Sequence, residues 1–254
     1  MDLNLSDRVA FVAGSSRGIG KAIAKSFLAE GCRVVVTGRN GKDVTDTVNE
    51  FSVRFGKDKA TGFVGDLCDT EAIKGAVTDV YQRWGKTQCL VANIGSGKGK
   101  AHWTVEDEEW QSLFQTNLWG SVRLIREAIP HISGNGSIVL VSSIAGIEAT
   151  QAPLPYGAAK AALISYAKNL SRQLGAMRVN VVAPGNILFP GGTWERHLAN
   201  KQKETENYIK TEVPLKRFGT PEEIADLVVF LSSPRASFIT GACVVADGGQ
   251  TRSC

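Results

Sequence analysis

A single doubly wound α/β domain, with a parallel sheet covered by helices on both faces, is predicted from three observations. Short β-branched runs alternate with longer helical patterns almost to the C-terminus. The runs are apolar along both faces, as strands buried on each side must be. A glycine loop, Ala13-Gly14-Ser15-Ser16-Arg17-Gly18-Ile19-Gly20, stands between the first strand and the first helix, the position at which doubly wound folds bind phosphate.

Taken in order, Arg8-Val9-Ala10-Phe11-Val12-Ala13 reads as the first strand. The first helix runs through Ala22, Ile23, Phe27 and Leu28, and Val34-Val35-Val36 is the second strand, which completes a βαβ unit. A third strand is expected over 61–64. Over 69–85, Ile73, Ala76, Val77, Val80, Tyr81 and Trp84 recur at i, i+3, i+4, i+7, i+8 and i+11, one buried helical face. Further strands are expected over 89–92, 137–141, 179–183 and 243–246, with helices over 108–129, 156–174 and 221–231. No repeat, low-complexity tract or linker divides the chain, so residues 1–254 are expected to form one domain. One segment stands apart, 188–213, where Pro190-Gly191-Gly192 leads into a polar, Lys/Glu-rich stretch carrying Trp194, His197 and Tyr208. It reads as a substrate lid, with a plain solvated helix as the alternative.

Composition narrows the function classes. A chain of 254 residues, 43% hydrophobic and 21% charged, can bury a core without disulfide staples and lacks the signature of disorder. The net charge of +4 comes without a long basic run, so nucleic acid is not expected as a partner. The segment Met1-Asp2-Leu3-Asn4-Leu5-Ser6-Asp7 is acidic and has no signal-peptide core, and no apolar stretch approaches the roughly 18 residues of a membrane span. A cytoplasmic protein without membrane contact is expected. The five cysteines, Cys32, Cys68, Cys89, Cys243 and Cys254, are widely spaced with no C-x-x-C pair, and read as incidental thiols. Glycine is the outlier: 27 positions where average usage gives about 18.

The glycine loop has the spacing G-x-x-x-G-x-G. Glycines there let the backbone approach a pyrophosphate, which the following helix N-terminus holds through free N–H groups and its dipole. Gly95-Ser96-Gly97-Lys98-Gly99-Lys100 looks like a nucleotide P-loop but lacks its spacing, and Ala101 stands where Ser or Thr would bind magnesium. The second strand ends Thr37-Gly38-Arg39-Asn40, with no carboxylate for a ribose 2′-hydroxyl. Arg39 and Arg17 could instead hold a 2′-phosphate through forked hydrogen bonds. NADP(H) is therefore expected over NAD(H); the alternative is two surface arginines.

Tyr156-Gly157-Ala158-Ala159-Lys160 spaces a phenol and an ammonium at i, i+4 on one helix face. Alone, the pair reads as a solvated face. Ser143 ends an apolar strand thirteen residues upstream, and the carboxyl ends of parallel strands are where ligands bind.

With these residues in hand, the sequence resembles a classical short-chain dehydrogenase/reductase, a Rossmann-type fold, from Asp7 to Gly249. The resemblance rests on the glycine loop, Asp66-Leu67, Asn93 with Gly95, Asn117, the Ser143, Tyr156 and Lys160 set, Pro184-Gly185, and Asp247-Gly248-Gly249. It is nearest to 3-oxoacyl-acyl-carrier-protein reductases. It implies that Tyr156 is the general acid in reduction and base in oxidation, its anion favoured by a neighbouring ammonium and by the cationic oxidised nicotinamide. It further implies that Lys160 tunes Tyr156 and binds the nicotinamide ribose, and that Ser143 orients the substrate carbonyl. Asn117 would complete a water-linked proton relay to Lys160, although it also reads as a polar residue satisfied by helix backbone. Cofactor contacts are implied for Gly14, Ser16, Arg17, Gly18, Ile19, Gly20, Arg39, Asp66, Leu67, Asn93, Gly95, Tyr156, Lys160, Pro184, Gly185 and Ile187, with Asp66 receiving the adenine amino group. A homotetramer built through two long helices and the last strand is also implied. No metal is expected.

Ser142 rivals Ser143, but the thirteen-residue offset selects Ser143 and leaves Ser142 as a satisfied strand serine. Hydrolysis has no G-x-S-x-G elbow, and His102, His131 and His197 are tied to no serine. Three positions depart from the family pattern. Ala13 replaces a Thr that ties the glycine loop, Ile94 replaces a small Ala, and Phe189 replaces the Thr that contacts the nicotinamide amide, so a looser cofactor grip is expected. A small-molecule carbonyl or alcohol is the expected substrate, of 3-oxoacyl type by resemblance. Ser133-Gly134-Asn135-Gly136 and Gly175-Ala176 stand where carrier-docking basic residues are usual, which leaves a sugar, nucleotide-sugar or specialised-metabolite ketone as an alternative. Lys98, Lys100 and His102 could meet an anionic substrate or form a solvated loop. From another class, a non-catalytic NADP(H)-binding regulatory protein is weighed and disfavoured by the intact catalytic set.

Overall fold

Strand and helix alternate from the first element. β1 (Val9–Val12), α1 (Gly18–Ala29), β2 (Arg33–Gly38), α2 (Gly41–Phe55), β3 (Ala60–Val64) and α3 (Thr70–Trp84) form the first half. β4 (Thr87–Ala92), α4 (Asp107–Phe114), α5 (Gly120–Ala128), β5 (Ile132–Val141), α6 (Leu154–Gln173), β6 (Arg178–Pro184), α7 (Thr193–Glu212), α8 (Pro221–Ser232) and β7 (Cys243–Ala246) complete the chain. The computed structural model describes residues 2–252. Cys254 and the outermost positions of the expected 1–254 domain lie outside them.

The strands form one parallel sheet in the order β3-β2-β1-β4-β5-β6-β7. Strand alternation divides the core between its faces: Ala10 and Val12 join a cluster with Phe27, Phe51 and Val228, while Val9, Phe11 and Ala13 join one with Ile73, Leu124 and Leu163. The sheet is thus the buried middle layer of a three-layer Rossmann-type domain. No helix among the described residues is long and apolar enough to cross a membrane.

Local chemistry sets the helix starts. Asn40 caps α2 by accepting from the N–H groups of Lys42 and Asp43, and Asp69 caps α3 by accepting from Glu71 N–H. Thr220 and Glu223 form a reciprocal capping box on α8.

The structure refines four expectations. α2 is a full helix where no element was assigned. β5 starts at Ile132 rather than at 137. The helix expected over 108–129 is interrupted by a π-helical turn, Gln115–Trp119. The 188–213 segment contains α7, and its helical geometry breaks at Lys201 (φ −146°, ψ 56°).

Candidate active site

The sheet order reverses direction on either side of β1 and β4, and the crevice at their carboxyl ends is where doubly wound sheets place ligands. The glycine loop enters it from β1. Thr37 on β2 fastens the loop: its hydroxyl accepts from Gly14 N–H at 2.9 Å. The Ser15 hydroxyl donates to Val12 O at 2.6 Å and accepts from Thr37 N–H at 2.9 Å. From β4, the Asn93 amide donates to Gly14 O at 3.2 Å. Gly14 takes a left-handed φ of +63°, and a Cβ at Gly20 would stand 2.1 Å from Gly14 O. The loop and α1 thus pack backbone to backbone, as the close approach predicted from the glycines requires.

The N-terminus of α1 carries neither a side-chain cap nor an acidic residue in its first turn. Its free N–H groups suit an anion. Arg17 and Arg39 are exposed at the crevice edge, and among the described residues neither forms an ion pair. Asp66 follows β3 and accepts from Cys68 N–H at 3.0 Å, with Leu67 buried beside it.

The catalytic candidates converge at the ends of β5 and α6. Ser143 follows β5 and accepts from Ala145 N–H at 3.2 Å. The tight turn after it, Ile144–Gly146, leans on α6: a Cβ at Gly146 would lie 2.6 Å from the Lys160 carbonyl carbon. This contact brings the Tyr156 hydroxyl into hydrogen bonding with the Ser143 side chain. Lys160, one helical turn on, is 4% exposed. Its ammonium donates to Val141 O at 3.0 Å and lies 5.8 Å from the Tyr156 ring centre. Burial pushes the Lys160 pKa down to about 8. Burial also raises the Tyr156 phenol, opposed by its hydrogen bond to Ser143. In the protein alone, desolvation therefore outweighs the stabilisation of the phenolate expected from the ammonium. Ser142 is, as read, a satisfied strand serine, donating to Lys160 O at 2.9 Å.

Asn117 sits in the π turn and is fully buried. Its side-chain oxygen accepts from Ser96 N–H at 2.9 Å, and its amide nitrogen donates to Ser96 O at 3.1 Å and to Leu113 O at 3.0 Å. A Cβ at Gly95 would fall 2.7 Å from Asn117 Oδ1 and 3.1 Å from Lys160 Nζ. The side chain holds the loop after β4 against the ammonium. The Asn117 side chain is thus satisfied by backbone, as one of its two readings has it.

One cleft of about 1000 Å³ joins these parts. It is lined by Gly14, Ser16, Arg17, Gly18, Ile19, Arg39, Asp66, Leu67, Asn93, Gly95, Ser143, Tyr156, Lys160, Pro184, Gly185 and Ile187. Gly20 and Asn117 lie behind the lining, Gly20 under the loop and Asn117 in the helix core.

The sequence model described as enoyl-(acyl carrier protein) reductase matches residues 13–251. A 3-oxoacyl-[acyl-carrier-protein] reductase of Thermotoga maritima is 33% identical over 97% of this chain and 99% of its own. The chain is a short-chain dehydrogenase/reductase. As a member of that family it is an oxidoreductase acting on CH–OH and C=O groups. Among solved structures it is similar to L-sorbose reductase from Gluconobacter frateurii, complexed with NADPH and L-sorbose, with a TM-score of 0.92, 30% identity and complete coverage of both chains. It also resembles a 7α-hydroxysteroid dehydrogenase complexed with NADH and 7-oxo glycochenodeoxycholic acid, with a TM-score of 0.90, 27% identity, and 99% and 97% coverage.

Two departures of this short-chain dehydrogenase/reductase from its family pattern are compensated. The hydroxyl absent at Ala13 is replaced by those of Ser15 and Thr37, so the glycine loop is tied and not loosened. The bulk of Ile94 is received at Gly120, where a Cβ would lie 3.1 Å from Ile94 Cγ2. Phe189 has a different outcome. Its ring turns to the glycine loop and abuts Gly18 and Gly192.

Sequence reasoning overlooked Ser15, Thr37, Asn186 and Gln250. The last two line the cleft with Trp194, His197 and Tyr208. For Ser15 and Thr37 the signal was present: two hydroxyls flank a loop whose usual hydroxyl is missing.

Proposed function

We propose that the protein is an NADP(H)-dependent ketone reductase. The observation that carries this reading is the Ser143–Tyr156 hydrogen bond beside Lys160, in the same cleft as a helix N-terminus without a side-chain cap and two arginines that form no ion pair among the described residues. The glycine cradle and helix N-terminus suit a pyrophosphate, and Arg17 with Arg39 suits a 2′-phosphate. When bound, the reduced cofactor supplies a hydride to the carbonyl carbon. Tyr156 supplies the proton to the carbonyl oxygen, which becomes the alcohol hydroxyl. Burial raises the phenol's pKa, so it carries the proton that reduction requires. Ser143 donates to the same oxygen as charge develops there, and Lys160 holds the strand end at Val141 O while presenting its ammonium behind the phenol.

Two substrate readings follow. The Thermotoga maritima relative supports a 3-oxoacyl thioester. The polar and aromatic lining of Tyr208, Gln250, Asn186 and Trp194 supports a small oxygenated ketone, and the Gluconobacter frateurii structure carries L-sorbose. We favour the oxygenated ketone, because uncharged residues stand at both expected carrier-docking places. The 188–213 segment acts as the lid of this site. A cytoplasmic homotetramer is the assembly we expect, and a scattering mass in solution tests it.

NADPH oxidation over a panel of β-keto thioesters, sugars and cyclic ketones, with Tyr156→Phe as control, tests the function. Turnover lost in Tyr156→Phe supports it. Tight NADPH binding without turnover of any carbonyl points to a regulatory protein, and equal rates in the variant overturn the mechanism.

A further inference from the structure

α7 ends where it begins. Trp194 and Tyr208 are fourteen positions apart, about 21 Å along a straight helix, yet their rings stack with centroids 5.6 Å apart and planes 18° from parallel. The break at Lys201 folds the element back on itself, and the stack closes its base, with Phe218 against Trp194 at 5.5 Å. This base is stitched to the sheet through amides. Gln250 Nε2, beyond β7, donates to the Tyr208 hydroxyl at 2.9 Å, and Gln250 Oε1 accepts from Asn186 Nδ2, beyond β6, at 2.6 Å.

The balance of donors matters here. The Tyr208 oxygen accepts from Gln250 and has a second hydrogen-bonding contact with the Asn186 side chain. Both favour the phenolate and so act as donors to that oxygen, and among the described residues no acceptor is bonded to its own hydrogen. The phenol is half-buried and lines the same cleft as Ser143 and Tyr156. Burial raises its pKa, so the hydrogen stays in place at neutral pH. A half-buried donor left over in a substrate cleft is a group that discriminates strongly for a ligand oxygen.

We propose that Tyr208 is a specificity-determining residue that donates its phenolic hydrogen to a hydroxyl or ether oxygen of the substrate, and that the substrate is a small ketone oxygenated beside its carbonyl. The assignment rests on the ketone-reductase reading above and gives that reading a substrate class. The stack and the Gln250–Asn186 bridge hold the phenol in place in the cleft that contains Ser143 and Tyr156, and the Trp194 ring provides an apolar wall for the carbon skeleton. A 3-oxoacyl chain carries no hydroxyl or ether oxygen beside its ketone and offers the Tyr208 hydrogen only its thioester carbonyl.

Matched ketones test this with NADPH: 2-hydroxycyclohexanone against cyclohexanone, dihydroxyacetone against acetone, and acetoacetyl-CoA alongside. The hydroxylated member of each pair is expected to exceed its parent in kcat/KM by roughly five- to tenfold, the worth of one neutral hydrogen bond. Tyr208→Phe keeps the ring stack and is expected to bring that ratio to about one, mainly through KM for the hydroxylated ketone. A displaced lid would depress both members alike and leave the ratio intact. A ratio near one in the unaltered protein, a ratio unmoved by Tyr208→Phe, or turnover of acetoacetyl-CoA alone would each overturn the assignment while sparing the ketone-reductase reading. Absence of turnover with every carbonyl would remove that reading and this one together.

Discussion

The Phe189 ring abuts Gly18 so closely that a Cβ there would stand 2.6 Å from the ring's Cε2. Gly18 opens α1, the helix whose N-terminus suits a phosphate. An apolar ring at that place limits how closely an anion can settle. Phe189→Thr is expected to bind NADPH several times more tightly, read by fluorescence titration. An unchanged or weakened Kd would show that the ring is part of the cofactor's seat.

Arg39 follows β2 with no acidic partner within ion-pair distance among the described residues. A charge-assisted hydrogen bond from it to a 2′-phosphate is worth about 1.5–3 kcal/mol. Arg39→Ala is therefore expected to lower kcat/KM for NADPH by about 10- to 100-fold, with a far smaller effect for NADH. Steady-state kinetics with both cofactors decide this, and comparable efficiencies in the unaltered protein would defeat the charge argument.

Lys160 makes stability depend on pH in a definite direction. Its folded pKa, pushed down to about 8, lies below the ordinary 10.5. Between those values the unfolded chain binds the extra proton, so stability rises as pH rises through that window and is lowest below it. Lys160→Met removes the buried charge. At pH 7 it is expected to be more stable by up to about 3 kcal/mol, with the slope between pH 8 and 10.5 reduced and turnover lost. Urea titrations at pH 7 and 10 measure both. A variant less stable at pH 7 would show that the Val141 hydrogen bond outweighs desolvation.

Asn117 exchanges three hydrogen bonds with the backbone of Ser96 and Leu113 while fully buried. Asn117→Ala orphans the Ser96 N–H and is expected to cost about 2 kcal/mol. Asn117→Asp keeps an acceptor for Ser96 N–H but turns a carboxylate toward two carbonyl oxygens, so it should cost at least as much. Chemical denaturation orders the variants. If aspartate restored the stability lost with alanine, the donor half of the interaction would be unimportant.

Thr220→Ala removes the capping-box hydroxyl of α8 and is expected to lower stability by about 1 kcal/mol, with turnover retained. Paired melting and activity measurements check this, and an equal loss of turnover would connect α8 to the site.

The strands were legible because they are apolar on both faces, and the Ser143, Tyr156 and Lys160 set because its spacing places it at strand and helix ends. α2 was passed over although Val44, Val48, Phe51 and Phe55 lie at helical spacing, because its threonines and valines also suit a strand. The π turn at Gln115–Trp119 had no sequence signal beyond one asparagine in a helical stretch, since it forms where that side chain meets Ser96, distant in sequence. Tyr208 and Gln250 form one feature only after α7 has folded at Lys201 and β7 has joined the sheet edge. Pairings of that range leave no local periodicity.

Thr37 lies one residue from the end of β2 and Arg39 just beyond it, two positions apart. By drawing its loop fastening from the end of β2 rather than from position 13, the chain places the tie on the glycine loop two residues from the arginine proposed to read the coenzyme. A change that reseats the end of this strand to admit another coenzyme also shifts the hydroxyl at Gly14 N–H. A redesign around Arg39 therefore has to keep the Thr37 hydroxyl at Gly14 N–H.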